Sequence, residues 1–335
     1  MSREITIVDT SLRDGMNSMS HKFTASQVAE VAGGLDAAGV SLIEVAHGDG
    51  MGGSSIQFGF SAEKDVDYVA AAAEAVEQAT IAALFVPGIA TLANLDEAIG
   101  AGLGAVRIAT HCTEADCARQ SIEYARERGI KVLSFLMMSH MLEPERLAEQ
   151  AALLEGYGTQ VIYVVDSAGA LIPKGAADRV AALRETVSCD IGFHAHNNLG
   201  CAIGNSLAGL EVGATYVDGS LRGLGAGAGN SQTEVLAVAL DRAGYETGVD
   251  LWKLIDVAED VIAPILPRPQ IIDETALTIG YTGVYSTFAL FAERAAEKYS
   301  VDVRDILIEL GKRGAIGGQE DMIIDVASEL SRAAS

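Results

Sequence analysis

The sequence is poor in cysteine, proline and aromatic residues. Its 335 residues include only 4 cysteines and 6 prolines, and 5% are aromatic. The cysteines show no C-x-x-C spacing and need no disulfide framework, which favours a reduced, cytoplasmic protein. By contrast, the 36 glycines suit many tight junctions between strands and helices around an aliphatic core.

Positive charge is also scarce. The chain has 23 Lys and Arg against 46 Asp and Glu, a formal net charge of −23. Nucleic acids and anionic membranes carry the same sign, so we expect neither as a partner. The net negative charge does not exclude a small anionic substrate, because the binding of a small molecule depends on the local charge of its site. No apolar run approaches the roughly 18 residues that span a bilayer, and the start MSREITIVDT does not resemble a signal peptide.

Short apolar, β-branched runs alternate with helical segments along most of the chain. Eight such runs, from Ile5–Val8 to Thr215–Asp218, are each followed by a helical segment at roughly 30-residue spacing. Eight units of this kind predict an α/β fold, a TIM (β/α)8 barrel. An open, doubly wound sheet built from the same units is the alternative.

The strand–helix alternation ends at a proline-rich stretch containing Pro264, Pro267 and Pro269. After this stretch the sequence has only helical periodicity. We therefore predict a barrel domain over residues 1–262 and an appended helical C-terminal domain over residues 263–335.

Polar residues collect where the predicted strands end. Arg13 and Asp14 follow the first strand, and His194 and His196 end the seventh. The C-terminal ends of all strands meet at one mouth of a barrel, and side chains two residues apart share a strand face. Two imidazoles and a carboxylate would form an open 2-His-1-carboxylate site for Mn²⁺ or a related divalent ion. The alternative is a pair of packed, hydrogen-bonded histidines.

The segment Gly223–Gly229 does not have the G-x-G-x-x-G spacing of a dinucleotide loop, because its glycines alternate and it follows the last strand. We interpret it as a loop that shapes a substrate site. Glu320 and Asp321 are expected to begin the last helix, where acidic residues favour the positive helix end.

Several motifs resemble those of a known family. DTSLRDG at the first strand, HAHNN at the seventh and GLGAGAGN at the eighth are similar to the HMG-CoA-lyase-like superfamily of metal-dependent barrels. More narrowly, VAHGDGMGGSSIQFGF, FLMMSHM, YVVDSAGAL, GYTGVYSTF and GGQEDMI resemble the 4-hydroxy-2-oxovalerate aldolase family along essentially the whole chain. These enzymes are class II pyruvate aldolases of aromatic and steroid catabolism.

The resemblance implies a set of site residues. It implies Asp14, His194 and His196 as ligands of Mn²⁺, with Co²⁺ or Mg²⁺ as other candidate ions. It implies Arg13 as the residue that stabilises the pyruvate enolate. The implied substrate contacts are Arg13, Ser167 at the pyruvate carboxylate, His194, Leu84 on the aldehyde side, and Tyr285 near the C4 hydroxyl, with Tyr281 as its alternative.

One position departs from the family pattern. Well-studied members carry a histidine two residues after the RDG glycine, which is credited as the general base, and this chain has Asn17 there. A neutral amide cannot accept a proton near pH 7, so the base must lie elsewhere. The candidates are His21, a metal-bound hydroxide or a water held by Asn17. Otherwise the enzyme is slower or acts on a different substrate.

The resemblance implies retro-aldol cleavage of 4-hydroxy-2-oxopentanoate, or a longer homologue, to pyruvate and an aldehyde. It also implies channelling of the aldehyde to an acylating acetaldehyde dehydrogenase. We expect a heterotetramer, formed through a homodimer or paired heterodimers and assisted by the helical C-terminal domain. Two alternatives stay open. Asn17 is compatible with a catalytically impaired structural subunit, and the superfamily also contains Claisen-type synthases that join acyl-CoA and 2-oxo acids.

Overall fold

The structure, a computed structural model, describes residues 4–334. Its strands form a closed parallel barrel in which each strand pairs with the next and the eighth pairs with the first. The strands are β1 (Thr6–Leu12), β2 (Leu42–Val45), β3 (Thr80–Phe85), β4 (Ala105–His111), β5 (Lys131–Met137), β6 (Val161–Asp166), β7 (Asp190–Ala195) and β8 (Tyr216–Gly219). The predicted TIM barrel is confirmed. The alternative of an open sheet is wrong, because residues 6–9 of β1 pair with residues 216–219 of β8.

A helix follows each strand and covers the outside of the barrel. These helices are α1 (Ala25–Ala37), α2 (Asp65–Ala75), α3 (Leu92–Gly100), α4 (Arg119–Glu127), α5 (Pro144–Gly156), α6 (Pro173–Thr186), α7 (Ala202–Glu211) and α8 (Thr233–Arg242). Their starts follow local sequence rules. The spacing of Thr24 and Gln27 is typical of a capping box, and the two residues form one reciprocally at α1; prolines begin α5 and α6.

The C-terminal part of the described chain is helical, as predicted. After α9 (Leu251–Asp256) and helical turns at 257–262 and 263–265 come α10 (Glu274–Thr282), α11 (Phe288–Tyr299), α12 (Val303–Arg313) and α13 (Asp321–Ala334). Ile265 and Leu266 still pack against the barrel core, whereas a separate apolar cluster begins at Ile279. Within residues 4–334, no helix has the length and apolar composition needed to cross a membrane.

The inside of the barrel is filled by side chains. Tyr163 and Phe135 are its largest members, and smaller aliphatic residues fill the rest. The inner cluster comprises Val8, Leu42, Ala82, Leu84, Ala105, Ala109, Leu133, Phe135, Val161, Tyr163 and Val165. A packed interior of this kind leaves room for a ligand only at the barrel mouth.

Gly192 is required inside the barrel because it lies opposite Tyr163 in the β6–β7 pairing. A Cβ atom on Gly192 would lie 2.4–2.5 Å from three ring carbons of Tyr163. We therefore expect Gly192→Ala to lower the free energy of unfolding by about 1–3 kcal/mol, the usual cost of overpacking. Urea unfolding followed by circular dichroism measures this change.

Gly204→Ala is the matched control, because a Cβ atom at this position in α7 meets its nearest neighbour, Pro173, at an ordinary 3.6 Å. We expect this substitution to be neutral or stabilising, since alanine favours helices over glycine. Equal stability of Gly192→Ala and the wild type would contradict the proposed role of Gly192.

Candidate active site

A cavity of about 530 Å³ opens at the C-terminal ends of the strands. Most of the residues that the sequence singled out line it: Arg13, Asp14, Asn17, Leu84, Ser167, His194, His196 and Tyr285. Two do not. The ring of His21 is stacked on His47 beside the cavity wall, and Tyr281 is 83% exposed on the protein surface. Of the two candidate tyrosines, Tyr285 is therefore the one at the cavity.

Asp14, His194 and His196 converge at the cavity floor. The Oδ2 atom of Asp14 lies 3.3 Å from Nε2 of His194 and 3.6 Å from Nε2 of His196. The other ring nitrogens face acceptors, with Nδ1 of His194 at 2.7 Å from Asp218 Oδ2 and Nδ1 of His196 at 3.3 Å from the Ala226 carbonyl. These contacts assign the protons to Nδ1, so that both Nε2 lone pairs face the carboxylate.

This donor set fits a divalent metal ion. All three potential ligand atoms lie within 4.8 Å of one another, and all three side chains are buried. Histidine ligands typically donate their second ring N–H to a carboxylate or a carbonyl group, as His194 and His196 do here. The identity of the ion stays a prediction.

The backbone explains how Asp14 reaches this position. β1 ends at Leu12, and the chain then enters a 3-10 turn over Asp14–Asn17. The Asn17 amide Nδ2 and the Ala226 backbone N–H each lie 3.3 Å from Asp14 Oδ1 and donate to it. Ala226 belongs to the segment Gly223–Gly229, so this loop supports Asp14 and His196 from behind, and none of its residues lines the cavity.

Arg107 is buried beneath the site and carries a full charge. Its guanidinium lies 4.2 Å above the ring of Phe135 and 4.7 Å above that of Tyr163. Two carboxylates neutralise it, because Nη1 donates to Glu44 Oε2 at 3.0 Å and Nη2 to Asp218 Oδ2 at 2.5 Å. Sequence reasoning did not select Arg107. The available signal was a single charge within the apolar strand Ala-Val-Arg-Ile-Ala, which must find opposite charges when buried.

The charges continue around the mouth. Arg13 donates from Nε to Glu44 at 2.8 Å, and its Nη1 lies 3.3 Å from Asp14. Together these contacts form a closed circuit, which we call the ion ring: Arg13, Glu44, Arg107, Asp218, His194 and Asp14. Burial alone would raise the pKa of Asp14, but the adjacent Arg13 guanidinium holds that pKa well below its ordinary value.

The helical C-terminal part contributes to the same cavity. The Tyr285 hydroxyl lies 3.6 Å from the sulfur of Met137, and Ser286 donates from Oγ to the Ser167 carbonyl at 2.6 Å. Ser167 itself accepts from the Met138 backbone N–H. Burial raises the pKa of Tyr285 above its ordinary value, so that its phenol stays protonated and acts as a hydrogen-bond donor.

Asn17 occupies the position at which the family resemblance implies the base histidine, and its amide supports Asp14 through hydrogen bonds. Asn17 donates from Nδ2 to the backbone carbonyl of Asp14 at 3.1 Å as well as to its carboxylate. Burial lowers the pKa of His21 to about 3 and that of His47 to about 4, so both stacked rings are neutral. The role of His21 as the base stays a prediction, although its ring lies behind Gly48 and not at the cavity surface.

Family comparisons agree with this architecture. The HMGL-like family matches residues 4–261, which include the whole barrel. The DmpG-like communication domain matches residues 270–332. The fold and the site thus define an HMGL-like barrel with an appended communication domain.

Curated relatives narrow the family. The chain is 66% identical to 4-hydroxy-2-oxovalerate aldolase 2 of Rhodococcus jostii over 99% of this chain and 96% of that protein. It is 57% identical to 4-hydroxy-2-oxovalerate aldolase of Carboxydothermus hydrogenoformans over 99% of both chains. The chain belongs to the 4-hydroxy-2-oxovalerate aldolase family of carbon–carbon lyases, which confirms the family and the enzyme class indicated by the sequence motifs.

Solved structures support the fold. The carboxyl transferase domain of Rhizobium etli pyruvate carboxylase superposes with a TM-score of 0.85 at 17% identity, over 99% of this chain. This chain spans 61% of the length of that one. The N-terminal domain of a Bacteroides vulgatus putative aldolase gives a TM-score of 0.72 at 20% identity, over 90% of this chain and 99% of that one. At these identities the likeness extends to the fold alone.

We expect Arg107→Met to lower the free energy of unfolding by about 3–5 kcal/mol, because the buried Asp218 would lose its cation and Glu44 would keep only Arg13. Thermal and urea unfolding of the purified variant measure the loss. Arg128→Ala is the control, since Arg128 forms its ion pair with Asp96 at the surface and its loss should change stability far less. Similar losses in the two variants would contradict a structural role for the ion ring.

Proposed function

We propose that this chain cleaves 4-hydroxy-2-oxo acids by a divalent-metal-dependent retro-aldol reaction that yields pyruvate and an aldehyde. The convergence of Asp14, His194 and His196 beside Arg13 in one cavity is the observation that supports this proposal. Membership of the aldolase family supports it independently. The proposed substrate is 4-hydroxy-2-oxopentanoate or a longer homologue from aromatic or steroid catabolism.

The cavity offers polar residues for the 2-oxo acid part of the substrate and an apolar residue for the part that becomes the aldehyde. Asp14, His194 and His196 would hold Mn²⁺, which when bound supplies Lewis-acid polarisation of the 2-oxo group. Ser167 lies on the wall near these residues and would bind the pyruvate carboxylate. Leu84 lines the wall on which we place the alkyl group of the aldehyde.

Arg13 is suited to stabilise the negative charge that develops on the enolate oxygen. Its guanidinium is anchored by Glu44 through Nε and by the Gly48 carbonyl through Nη1, and it also lines the cavity. An anchored cation needs little reorganisation when the enolate charge forms, which makes such stabilisation effective. Tyr285, protonated and partly buried, would donate a hydrogen bond to the C4 oxygen.

We further propose that the aldehyde passes to an acylating acetaldehyde dehydrogenase. The match to the DmpG-like communication domain supports a partner of this kind. Residues 316–318 and Glu320 of the C-terminal part line the same cavity as the proposed ligands. A partner bound to this part of the chain would therefore lie close to the site where the aldehyde forms.

The first prediction of this proposal is that pyruvate release from 4-hydroxy-2-oxopentanoate requires Mn²⁺ and Arg13. We expect chelation of the metal to abolish turnover and Mn²⁺ to restore it. Arg13→Ala should lower kcat at least about 10²-fold, because the enolate loses one stabilising donor. Coupling to lactate dehydrogenase measures pyruvate directly.

Arg119→Ala is the matched control, since Arg119 is exposed and pairs with Glu123 on α4. It should keep the wild-type rate. Wild-type turnover by Arg13→Ala would refute the assignment. Activity in Asn17→His alone would instead favour the impaired structural subunit, and thiol release that requires acyl-CoA would favour a Claisen-type synthase.

The second prediction concerns the partner. We expect the chain to co-elute with its acylating dehydrogenase in size-exclusion chromatography, at a mass that fits a heterotetramer. Deletion of residues 270–335 should remove this association. Separate elution of the two full-length proteins at micromolar concentration would count against the proposed complex.

A further inference from the structure

The cavity must contain a proton acceptor if the proposed reaction occurs, and the obvious positions do not provide one. Asn17 is a neutral amide that donates to Asp14. Tyr285 keeps its proton, and the ring of His21 lies outside the cavity lining. Asp14, His194 and His196 are the proposed metal ligands and are therefore not available as the base. The remaining candidates are the other carboxylates that line the cavity. Among them, Asp49 shares the cavity wall with Arg13 and Tyr285 and lies close enough for their charges to interact.

Asp49 follows β2 in the glycine-rich loop that forms one side of the cavity. Its backbone N–H donates to Nδ1 of His47 at 3.0 Å, and Nε2 of His47 faces the Gly59 carbonyl at 3.1 Å. These two contacts place the His47 proton on Nε2. The Asp49 Oδ2 atom, 3.6 Å from Nδ1, therefore faces the lone pair of a neutral imidazole and gains no ion pair from it.

Burial, together with the neighbouring charges, gives Asp49 a carboxyl group that can exchange a proton near neutral pH. Burial raises the pKa of Asp49 to about 7, with Glu320 and Asp14 adding to the rise and Arg13 opposing it. His47 contributes no charge, because its own pKa is lowered to about 4. A divalent ion at the proposed ligands would add positive charge and lower the pKa of Asp49, which would keep it ionised as an acceptor.

We propose that Asp49 is the general base of this chain, which rests on the proposed aldolase function. Its carboxylate accepts the proton of the C4 hydroxyl, directly or through one water. The O–H electron pair then forms the aldehyde C=O bond, and the C3–C4 bond breaks. Its electron pair forms the C2=C3 double bond while the C2=O π pair moves to the oxygen, which gives the pyruvate enolate. The proton held by Asp49 returns to C3, so that pyruvate leaves and the carboxylate is regenerated.

A double-mutant cycle tests this assignment. Asp49→Asn keeps the size of the side chain but cannot accept a proton, so we expect kcat for aldol cleavage to fall about 10²-fold or more. In an Asn17→His background an imidazole is available at the family's base position. Asp49→Asn should then cost less than about tenfold, and this non-additivity is the mark of a shared role.

Two further measurements separate catalysis from loop structure. Oxaloacetate decarboxylation yields the same pyruvate enolate by loss of CO₂ without removing a hydroxyl proton, so Asp49→Asn should retain it. Asp65→Asn is the structural control, because Asp65 accepts from the backbone N–H groups of His47 and Gly52 and holds the same loop. It should lower both reactions together. The acidic limb of the kcat/KM profile for aldol cleavage should disappear in Asp49→Asn.

Each outcome bears on a separate claim. Wild-type aldol cleavage by Asp49→Asn, or equal losses in both backgrounds and both reactions, would overturn the role of Asp49 and leave the aldolase proposal intact. Cleavage by Asn17→His but not by the wild type would overturn both the role of Asp49 and the proposal of an active native enzyme.

Discussion

The neutralisation of Arg107 is the constraint on which the rest of the site depends. A guanidinium buried in the barrel needs nearby carboxylates to neutralise its charge. Glu44 on β2 and Asp218 on β8 form ion pairs with it. Those carboxylates in turn hold Arg13 and His194, which belong to the proposed catalytic and metal-binding groups. The ion pairs that neutralise the buried charge of Arg107 therefore also fix the positions of Arg13 and His194.

The interior of the barrel is packed with side chains, whereas its mouth holds the cavity and the polar residues of the site. Tyr163 and Phe135 fill the interior and also form the aromatic floor against which Arg107 packs. Above that floor, the helical C-terminal part completes the cavity with Tyr285 and the segment at 316–318. The site is thus built by both parts of the chain, which gives a physical reason why partner binding at the C-terminal part and chemistry at the barrel mouth can be linked.

Asn17 shows why family membership does not transfer every role. At this position an amide replaces the histidine that the family resemblance implies, yet it donates to both the backbone carbonyl and the carboxylate of Asp14. The substitution removes a proton acceptor but retains support for a proposed metal ligand. Any acceptor must then come from the existing wall of the cavity, where the partly buried Asp49 lies near groups of both charge signs.

The sequence by itself determined the eightfold alternation of strands and helices, the capping box at Thr24, and the shared face of His194 and His196. These features follow from backbone periodicity and from contacts between residues close in the chain. Only the tertiary structure decided that Arg107 meets Asp218, that His21 stacks on His47, and that Tyr285 and not Tyr281 reaches the cavity. These pairs are separated along the chain or depend on the direction of a loop, so closure of the barrel and packing of the C-terminal helices set them.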